Sequence, residues 1–440
     1  MTKDLFLEKA MSLISEDPMS RVSAKTKEAL SDSNCIFDTH CHIFDRKCIN
    51  SRYFLTRFFK ETVGLENIST FDKDALEKEG YVYLSKTLDT IYEELEKDVT
   101  DEENDWKVIE AELEKFDKKL NALESYSFFG LWETFKVLLK GNKKAVLDYY
   151  LKDIAISRHE DLKGRHFITS ILMMDLEKGW DRPISKSFIK QIDELKILAK
   201  DYLILPYLAV DPRRADESGD DNLYKLFLKA FTEGDTPFFG VKLYPSLGYL
   251  PSDERLYPIF EVCEKKNIPV LTHCGGETVS AYKKEIEVRR GTIKETWKEN
   301  NRIDLAKRLN DPENWEDVLK MYPKLKLNFG HFGGDTAWSE YRANKTQKRI
   351  DKIIELMNSY ENVYADFSFN IIEDNLFETF DDLLSKSDLV KERSLFGTDF
   401  WVVLPSGNLV EKQEDFLVTL DKYKEHLISR NPLKYLFDTK

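Results

Sequence analysis

The amino-acid sequence predicts an α/β protein, a (β/α)8 TIM barrel with a long helical insertion after its first strand. Eight short apolar runs are typical of buried strands, and helical patterns with charged outer faces separate them. Apolar strands that alternate with helices indicate a parallel sheet covered by helices, and eight such units favour a closed barrel. An open doubly wound sheet is the competing architecture, but no G-x-G-x-x-G turn follows the first run.

The predicted strands are CIFDTHCHIF from residue 35, HFITSILMMDL from 166, YLILPYLAVDP from 202, FFGVKLYP from 238, IPVLTHCGG from 268, LKLNFGHFGG from 325, NVYADFSF from 362 and SLFGTDFW from 394. Segments such as SKSFIKQIDELKILAKD and QKRIDKIIELMNSYEN lie between them, and their apolar residues recur with helical period. The regular alternation of strands and helices therefore begins at residue 166.

Two parts of the chain lie outside this pattern. Residues 1–33 form a predicted N-terminal helical extension, and residues 34–440 form the barrel, with a helical insertion at 43–165. Because the insertion leaves the carboxyl end of the first strand, where such barrels keep their active sites, we expect it to form a lid or pocket wall. A docked helical appendage or an oligomer contact is the alternative.

Composition narrows the classes of partner. The net charge of -14 argues against nucleic acid, because phosphate backbones need a basic footprint. No apolar run approaches the length of a membrane span or the core of a signal peptide, so we expect no membrane partner. Five cysteines without C-x-x-C spacing favour reduced thiols in the cytoplasm. The expected partner is a small-molecule substrate, and a homo-oligomer stays open.

The first strand carries three polar residues at alternate positions, Asp38, His40 and His42. Side chains in a strand alternate between two faces, so the two imidazoles converge. Two imidazoles from one strand suit zinc or a related divalent metal, and we expect Asp38 to set the strand geometry or to orient one of them. A partly exposed histidine pair is an equal interpretation of this segment alone.

The other strands decide between these interpretations, because several polar residues fall at the same rim of the predicted barrel. They are Lys242 within strand four, His273 at the carboxyl end of strand five, His331 at that of strand six and Asp399 at that of strand eight. Scattered residues would not share one face. The sequence therefore predicts a polar site at the carboxyl rim.

Five segments resemble a known family. They are DTHCHIFD, FFGVKLYP, YPIFEVCEKKNIPVLTHCGG, DPENWEDVLKMYPKLKLNFGHFGG and LFGTDFW. Together they resemble the amidohydrolase superfamily, specifically the amidohydrolase 2 branch that includes relatives of aminocarboxymuconate-semialdehyde decarboxylase. The match runs from residue 34 to about 404, whereas the insertion is unusually long for this family.

The resemblance implies a metal centre with assigned roles. His40, His42 and His273 would bind the metal, and Asp399 would be the fourth ligand or lie beside the bound water. His331 would hydrogen-bond substrate or water, or bind a second metal. One divalent ion, Zn2+, is the expected cofactor.

Lys242 has two interpretations. In some branches of the superfamily a lysine on strand four is carbamylated and bridges two metals, which would make this a two-metal site. The alternative is a lysine that pairs with a carboxylate or extends out of the strand end. Weaker candidates for substrate binding are Arg52, Tyr244 and Trp401.

The expected function is hydrolysis of a small amide, lactone or ester by a metal-activated water, whose pKa a divalent metal lowers toward ~7. Asp399 would act as general base and then acid, and His331 would stabilise the negative charge on the attacked oxygen. A non-oxidative decarboxylase of a small aromatic or unsaturated acid would use the same residues. A catalytically inactive binding barrel is the third hypothesis.

Overall fold

The computed structural model describes residues 1–50, 142–275, 279–281, 283–404 and 408–438, together with 53, 54, 87, 90, 91, 107–109, 111, 112 and 137. Its main sheet consists of the strands β1 (Cys35–Cys41), β2 (His166–Leu172), β3 (Ile204–Ala209), β4 (Gly240–Leu243), β5 (Val270–His273), β8 (Leu327–Gly330), β9 (Val363–Asp366) and β10 (Ser394–Leu395). All neighbours in this sheet are parallel, and they follow chain order. Each of the eight predicted runs contains one of these strands.

Backbone hydrogen bonds close the sheet into a barrel. β10 has only two residues, but the chain that follows it reaches β1. The amide of Thr39 donates to the carbonyl of Phe396 at 3.0 Å, and the amide of Asp399 donates to the carbonyl of His40 at 2.7 Å. The predicted α/β fold, a (β/α)8 barrel, is confirmed.

Helices cover the outside of the barrel. The longer ones that follow the barrel strands are Phe188–Asp201, Leu223–Thr232, Tyr257–Lys265, Arg302–Leu309, Asp335–Asn344, Lys348–Ser359, Phe377–Lys386 and Leu409–Thr419, and shorter ones are Leu176–Trp180, Glu316–Met321, Asp388–Arg393, Phe400–Val403 and Asn431–Phe437. Lys348–Ser359 is a typical case, because its buried residues Ile350, Ile353 and Met357 lie on one side of the helix.

The chain before β1 contains the helices Lys3–Leu13 and Ala24–Ser31. Phe6 of the first helix stacks on Tyr224 with ring centroids 4.9 Å apart, so this part packs on the barrel helix Leu223–Thr232. The boundaries drawn in the sequence at 33/34 stay a prediction.

Most of the predicted insertion at 43–165 lies outside the described residues, so its role as a lid stays a prediction. Its last described α-helix is Lys143–Tyr149, and a π-helix at Tyr150–Ile154 follows directly. The next residue, Tyr150, is buried with its ring centroid 4.7 Å from that of Phe400, beyond β10.

A two-stranded antiparallel hairpin follows β5 and was not predicted from the sequence. It consists of β6 (Glu285–Arg290) and β7 (Ile293–Lys298). Gly291, at the turn, has a φ of 57° and donates its amide to the carbonyl of Ser252 at 2.7 Å. The hairpin tip is therefore attached to the segment that follows β4.

Two further observations concern the cysteines and the helices. All five cysteines are buried free thiols. Among the described residues, every helix is too short or too polar to cross a membrane.

Candidate metal centre

The first strand brings His40 and His42 to the carboxyl rim. The register between β1 and β2 shifts between Asp38 and Cys41, so the strand pairing is irregular there and the regular alternation assumed from the sequence is interrupted. Both imidazoles are buried, and their ring centroids are 5.5 Å apart.

Asp399 lies against both of these imidazoles. Its Oδ1 is 3.8 Å from Nε2 of His40 and 3.6 Å from Nε2 of His42. This buried oxygen has no hydrogen-bond partner among the described residues, and buried acceptors are rarely left unsatisfied. The φ of Asp399 is 54°, a left-handed conformation that a residue other than glycine adopts only where its surroundings hold it.

Hydrogen bonds fix the tautomers of the two imidazoles. Nδ1 of His42 lies 2.9 Å from the carbonyl of Leu172, and Nδ1 of His40 lies 3.0 Å from a carboxylate oxygen of Asp366. Because both partners accept, each Nδ1 carries the proton and each Nε2 keeps a lone pair. Burial, reinforced by Lys242, lowers the pKa of both imidazoles well below 6.5. They are therefore neutral, as metal ligands must be.

Asp366, at the end of β9, is the residue of this site that the sequence analysis missed. It accepts hydrogen bonds from the His40 imidazole, from Asn328 Nδ2 at 2.8 Å, from the amides of His331 at 3.1 Å and Ser368 at 3.2 Å, and from the Ser368 hydroxyl. It is the last residue of β9, within the run NVYADFSF, and a polar residue at the carboxyl end of a strand is the same signal that identified His273 and His331.

His331 follows β8 in a left-handed conformation, with a φ of 67°. Its Nδ1 lies 3.2 Å from the carbonyl of Ser368, which can only accept, so Nδ1 is protonated in this arrangement. Its Nε2 then accepts a hydrogen bond from Nδ1 of His273 at 3.0 Å. It follows that the Nε2 of His273 carries a lone pair.

The predicted ligands do not all gather in one cluster. Two groups in the described part of the chain have ligand atoms within 4.8 Å of one another, namely His40 with His42 and Asp399, and His40 with His331 and Asp366. His273 belongs to neither group. Its ring stacks on Tyr244 at 4.0 Å, so it lies at the predicted rim, and its role as a ligand stays a prediction.

Lys242 is fully buried beside the cluster and does not extend out of the strand end. Its Nζ lies 3.2 Å from Nε2 of His40 and 5.4 Å from the ring centroid of Tyr244. Burial lowers the pKa of Lys242 to about 7, against the attraction of Asp399 and Asp366. Burial likewise raises the pKa of Asp399 to about 8, against the attraction of Lys242. Each member of the pair is thus shifted toward its neutral form.

Asp38 holds the backbone around this cluster. It accepts from the amide of His40 at 2.9 Å, from the amide and hydroxyl of Thr398 at 3.1 and 2.6 Å, and from the hydroxyl of Tyr150. Asp38 thus sets the local geometry, while Asp366 orients the imidazole. Burial raises the pKa of Asp38 to about 6, although these hydrogen bonds oppose the shift.

The residues that were weaker candidates fall in different places. Tyr244 is buried against His273 and Lys242, as given above. Trp401 is buried with its ring 5.3 Å from that of Phe44 in an edge contact, so it packs at the rim. Arg52 lies outside the described residues.

The donor set fits a divalent cation. Two neutral imidazoles and an unsatisfied carboxylate oxygen converge, and histidine with carboxylate is a ligand set for zinc and related metals. The buried site also contains three carboxyl groups, Asp38, Asp366 and Asp399, against one lysine. A cation would offset this excess and favour the carboxylate form of Asp399.

Fold and site together define the class of this protein as a (β/α)8 barrel with a candidate metal site at its carboxyl rim. The sequence profile described as Amidohydrolase (Amidohydro_2) matches residues 204–437, which is more than half of the chain. The chain therefore belongs to the amidohydrolase family, whose members generally use a divalent metal. No curated protein matches it.

Solved structures with a similar fold have low sequence identity. A TIM-barrel protein of Bordetella bronchiseptica is 15% identical over 71% of this chain and 86% of its own, with a TM-score of 0.41. A putative metal-dependent hydrolase of Lactobacillus casei is 13% identical over 94% and 98%, with a TM-score of 0.38. The 4-oxalomesaconate hydratase of Rhodopseudomonas palustris is 12% identical over 89% and 96%, with a TM-score of 0.34. Similarity at this level says nothing about the reaction, and the narrower resemblance to the decarboxylase relatives stays a prediction.

Proposed function

We propose that the protein is a metal-dependent hydrolase that acts on a small amide, lactone or ester. The observation that carries this proposal is the convergence of two imidazole Nε2 atoms, from His40 and His42, on the unsatisfied Oδ1 of Asp399. A bound ion, in the simplest case one Zn2+, would polarise the substrate carbonyl and acidify a water molecule near neutral pH.

His40 and His42 would hold the ion through Nε2, because Asp366 and Leu172 engage their other nitrogens. The family resemblance supports His273 as the third protein ligand, and its hydrogen bond to His331 leaves the Nε2 lone pair that ligation requires. An acceptor on the remote nitrogen of a ligating imidazole raises its basicity and fixes its orientation.

Asp399 would take the proton of the attacking water and return it to the leaving group. Its Oδ1 lies beside Nε2 of both ligand imidazoles, a position that suits this exchange. Lys242, whose Nζ lies beside Nε2 of His40, would contact the substrate, or would bridge a second metal if it is carbamylated.

His331 would donate from Nε2 to the oxygen that becomes negative. This needs the tautomer opposite to the one that donates to the Ser368 carbonyl, so the hydrogen bond from Nδ1 of His273 to Nε2 of His331 would have to break when substrate binds. The Ser368 hydroxyl, 2.9 Å from Nδ1 of His331, would stabilise that tautomer only by turning away from Asp366, to which it donates here.

The test is a screen of the Zn2+-loaded protein against small amides, lactones and esters, with acid release as the readout. Asp399→Asn should lower kcat by about 10²- to 10⁴-fold, the usual contribution of a general base. Asp388→Asn is the matched control, because this exposed carboxylate pairs only with Lys391 at the surface in the described structure. Carbon dioxide release without consumption of water would identify a decarboxylase instead. Full metal occupancy without any turnover would favour a binding barrel.

We also propose a cytoplasmic setting and a small-molecule partner. The five buried thiols are the support for the first, because reduced cysteines are usual in the cytosol. The buried, polar rim site is the support for the second.

A further inference from the structure

A cavity of about 430 Å3 lies outside the candidate metal centre. Its walls come from the hairpin β6–β7, from Arg213 in the segment after β3, and from Leu247, Gly248 and Arg255 after β4. None of the residues assigned to the metal centre lines it. It is therefore a separate site.

Two of its cations are held by the same short motif. Asp211-Pro212-Arg213 and Asp253-Glu254-Arg255 both have the form Asp-x-Arg. In each, the buried aspartate accepts from the backbone amide of the arginine, at 2.9 and 3.0 Å, and from its Nε, at 2.8 and 2.9 Å. The same aspartate also accepts from Nη2. Each guanidinium is thus fixed in one plane before any ligand arrives.

Arg213 keeps donors that the protein does not use. Its Nη2 donates to Asp211 and to the carbonyl of Leu247 at 3.0 Å, whereas its Nη1 makes no hydrogen bond within the described ranges. A Cβ on Gly248 would lie 3.4 Å from Nη1, so the glycine leaves room in front of that atom. Gly248 also has a φ of 114°, which other residues rarely adopt.

The hairpin adds two cations that face each other. Arg289 of β6 is directly opposite Lys294 of β7, and both line the cavity. Like charges in this position destabilise a hairpin. The ion pair of Lys294 with Glu287, at 2.9 Å, offsets the repulsion on Lys294. Arg289 has no carboxylate within 4.0 Å in the part of the chain that is described. A bound anion would relieve it.

The carboxylates of the cavity are already engaged. Five cations line it against three carboxylates, Asp216, Glu285 and Glu287. Asp216 pairs with Arg255, Glu287 with Lys294, and Glu285 with Lys298 at 3.0 Å. These three carboxylates therefore do not compete with a ligand for Nη1 of Arg213 or for Arg289, although the protein as a whole has a net charge of -14.

We propose that this cavity binds a small anion with at least two negatively charged oxygens, as in a dicarboxylate or a phosphate. Arg213 and Arg289 are its main donors, because a planar guanidinium binds two oxygens of a carboxylate or phosphate at once. The proposal does not depend on the reaction at the metal centre.

The test is calorimetric titration of the full-length, metal-loaded protein with inorganic phosphate and with malonate, at an ionic strength held constant with NaCl. Saturable binding of either anion is expected, and the one that binds more tightly identifies the ligand chemistry. Arg289→Gln should weaken binding about tenfold, as expected for loss of one charge-assisted contact. Arg290→Gln is the matched control, since this neighbour in β6 pairs with Glu295 and does not line the cavity. It should change the affinity less than about twofold.

Lys283→Glu is a second variant that spares the fold, because this lining residue is exposed. It should weaken binding of both anions by charge reversal, whereas His40→Ala should leave binding intact. Absence of saturable binding, equal effects of Arg289→Gln and Arg290→Gln, or loss of binding in His40→Ala would each overturn the proposal. The last result would place the anion at the metal centre.

Discussion

The imidazole of His40 donates its Nδ1 proton to Asp366 at 3.0 Å, across 326 residues of sequence. Both side chains are fully buried. The contact joins β1 to β9 and leaves Nε2 of His40 facing Asp399. A carboxylate behind a ligating imidazole is a recurrent device of metal sites.

Asp366→Asn should therefore weaken metal binding by about 10- to 100-fold while the protein stays folded. The amide is a poorer acceptor for the imidazole, and its NH2 group meets the donors that surround this position. Competition with a chromogenic chelator measures the change. Asp388→Asn serves as the control, and equal affinities of the two variants would show that Asp366 does not act on the ligand.

His40→Ala should abolish metal binding, because it removes an Nε2 that faces Asp399. Elemental analysis of the purified protein should give about one equivalent of metal for the natural sequence and none for the variant. His166→Gln is a suitable control, since this half-exposed histidine pairs with Asp32 at the start of β2. Two equivalents in the natural protein would instead favour a carbamylated Lys242.

Tyr150→Phe should lower the free energy of unfolding by about 1–3 kcal/mol, because buried Asp38 loses one of its donors. Urea denaturation measures this change in the free energy of unfolding. We expect the slope of the free energy against urea concentration to be unchanged. Tyr202→Phe, which removes a partly exposed hydroxyl from Asp148, should cost less than about 1 kcal/mol. Metal content should not change, since Asp38 contacts the backbone of His40. A loss of metal in Tyr150→Phe would contradict this division of roles.

Lys196 should make stability depend on pH. Burial lowers its pKa to about 8, and its Nζ donates to the carbonyls of Lys229 and Glu233. An unfolded lysine has a pKa of about 10.4, so between these values the unfolded chain binds more protons at this site and stability rises with pH. Below pH ~8 Lys196 is charged in both the folded and the unfolded state. The folded protein then carries the full free-energy cost of burying that charge.

The free energy of unfolding of the natural protein minus that of Lys196→Met should thus increase by about 1–3 kcal/mol from about pH 8 to pH 10. Urea denaturation at several pH values measures this difference, in which the titrations common to both proteins cancel. A difference that does not vary with pH would show that Lys196 titrates normally.

The barrel could be predicted because each strand carries its own local pattern. The hairpin could not be predicted in the same way, because EIEVRR and IKETWK are rich in charge and only Val288 and Trp297 are deeply buried. Contacts outside the hairpin support it, such as the stacking of Arg308 on Trp297 at 3.8 Å and the hydrogen bond from Gly291 to the carbonyl of Ser252. Gly291 and Ser252 are far apart in the sequence, so no local pattern contains both.

In the candidate site, too, some features follow from local sequence patterns and others only from the folded chain. Strand ends predicted that His40, His331 and Asp399 would meet, since parallel strands share one rim. The irregular strand pairing between Asp38 and Cys41 and the left-handed conformation of His331 leave no local pattern in the sequence. Asp366 accepts from nearby Ser368, but His40, Asn328 and His331 are distant in sequence, so only the folded chain reveals which imidazole it orients.

The closure of the barrel has a consequence for folding. The seam between the first and last strands depends on the amides of Thr39 and Asp399, and it is also where His40 and Asp399 meet. An ion bound there would link the two ends of the barrel sheet. Removing the ion with a chelator should speed amide hydrogen exchange at Thr39 and Asp399 before it affects β2 to β5. The metal supply would then control the local stability of this seam.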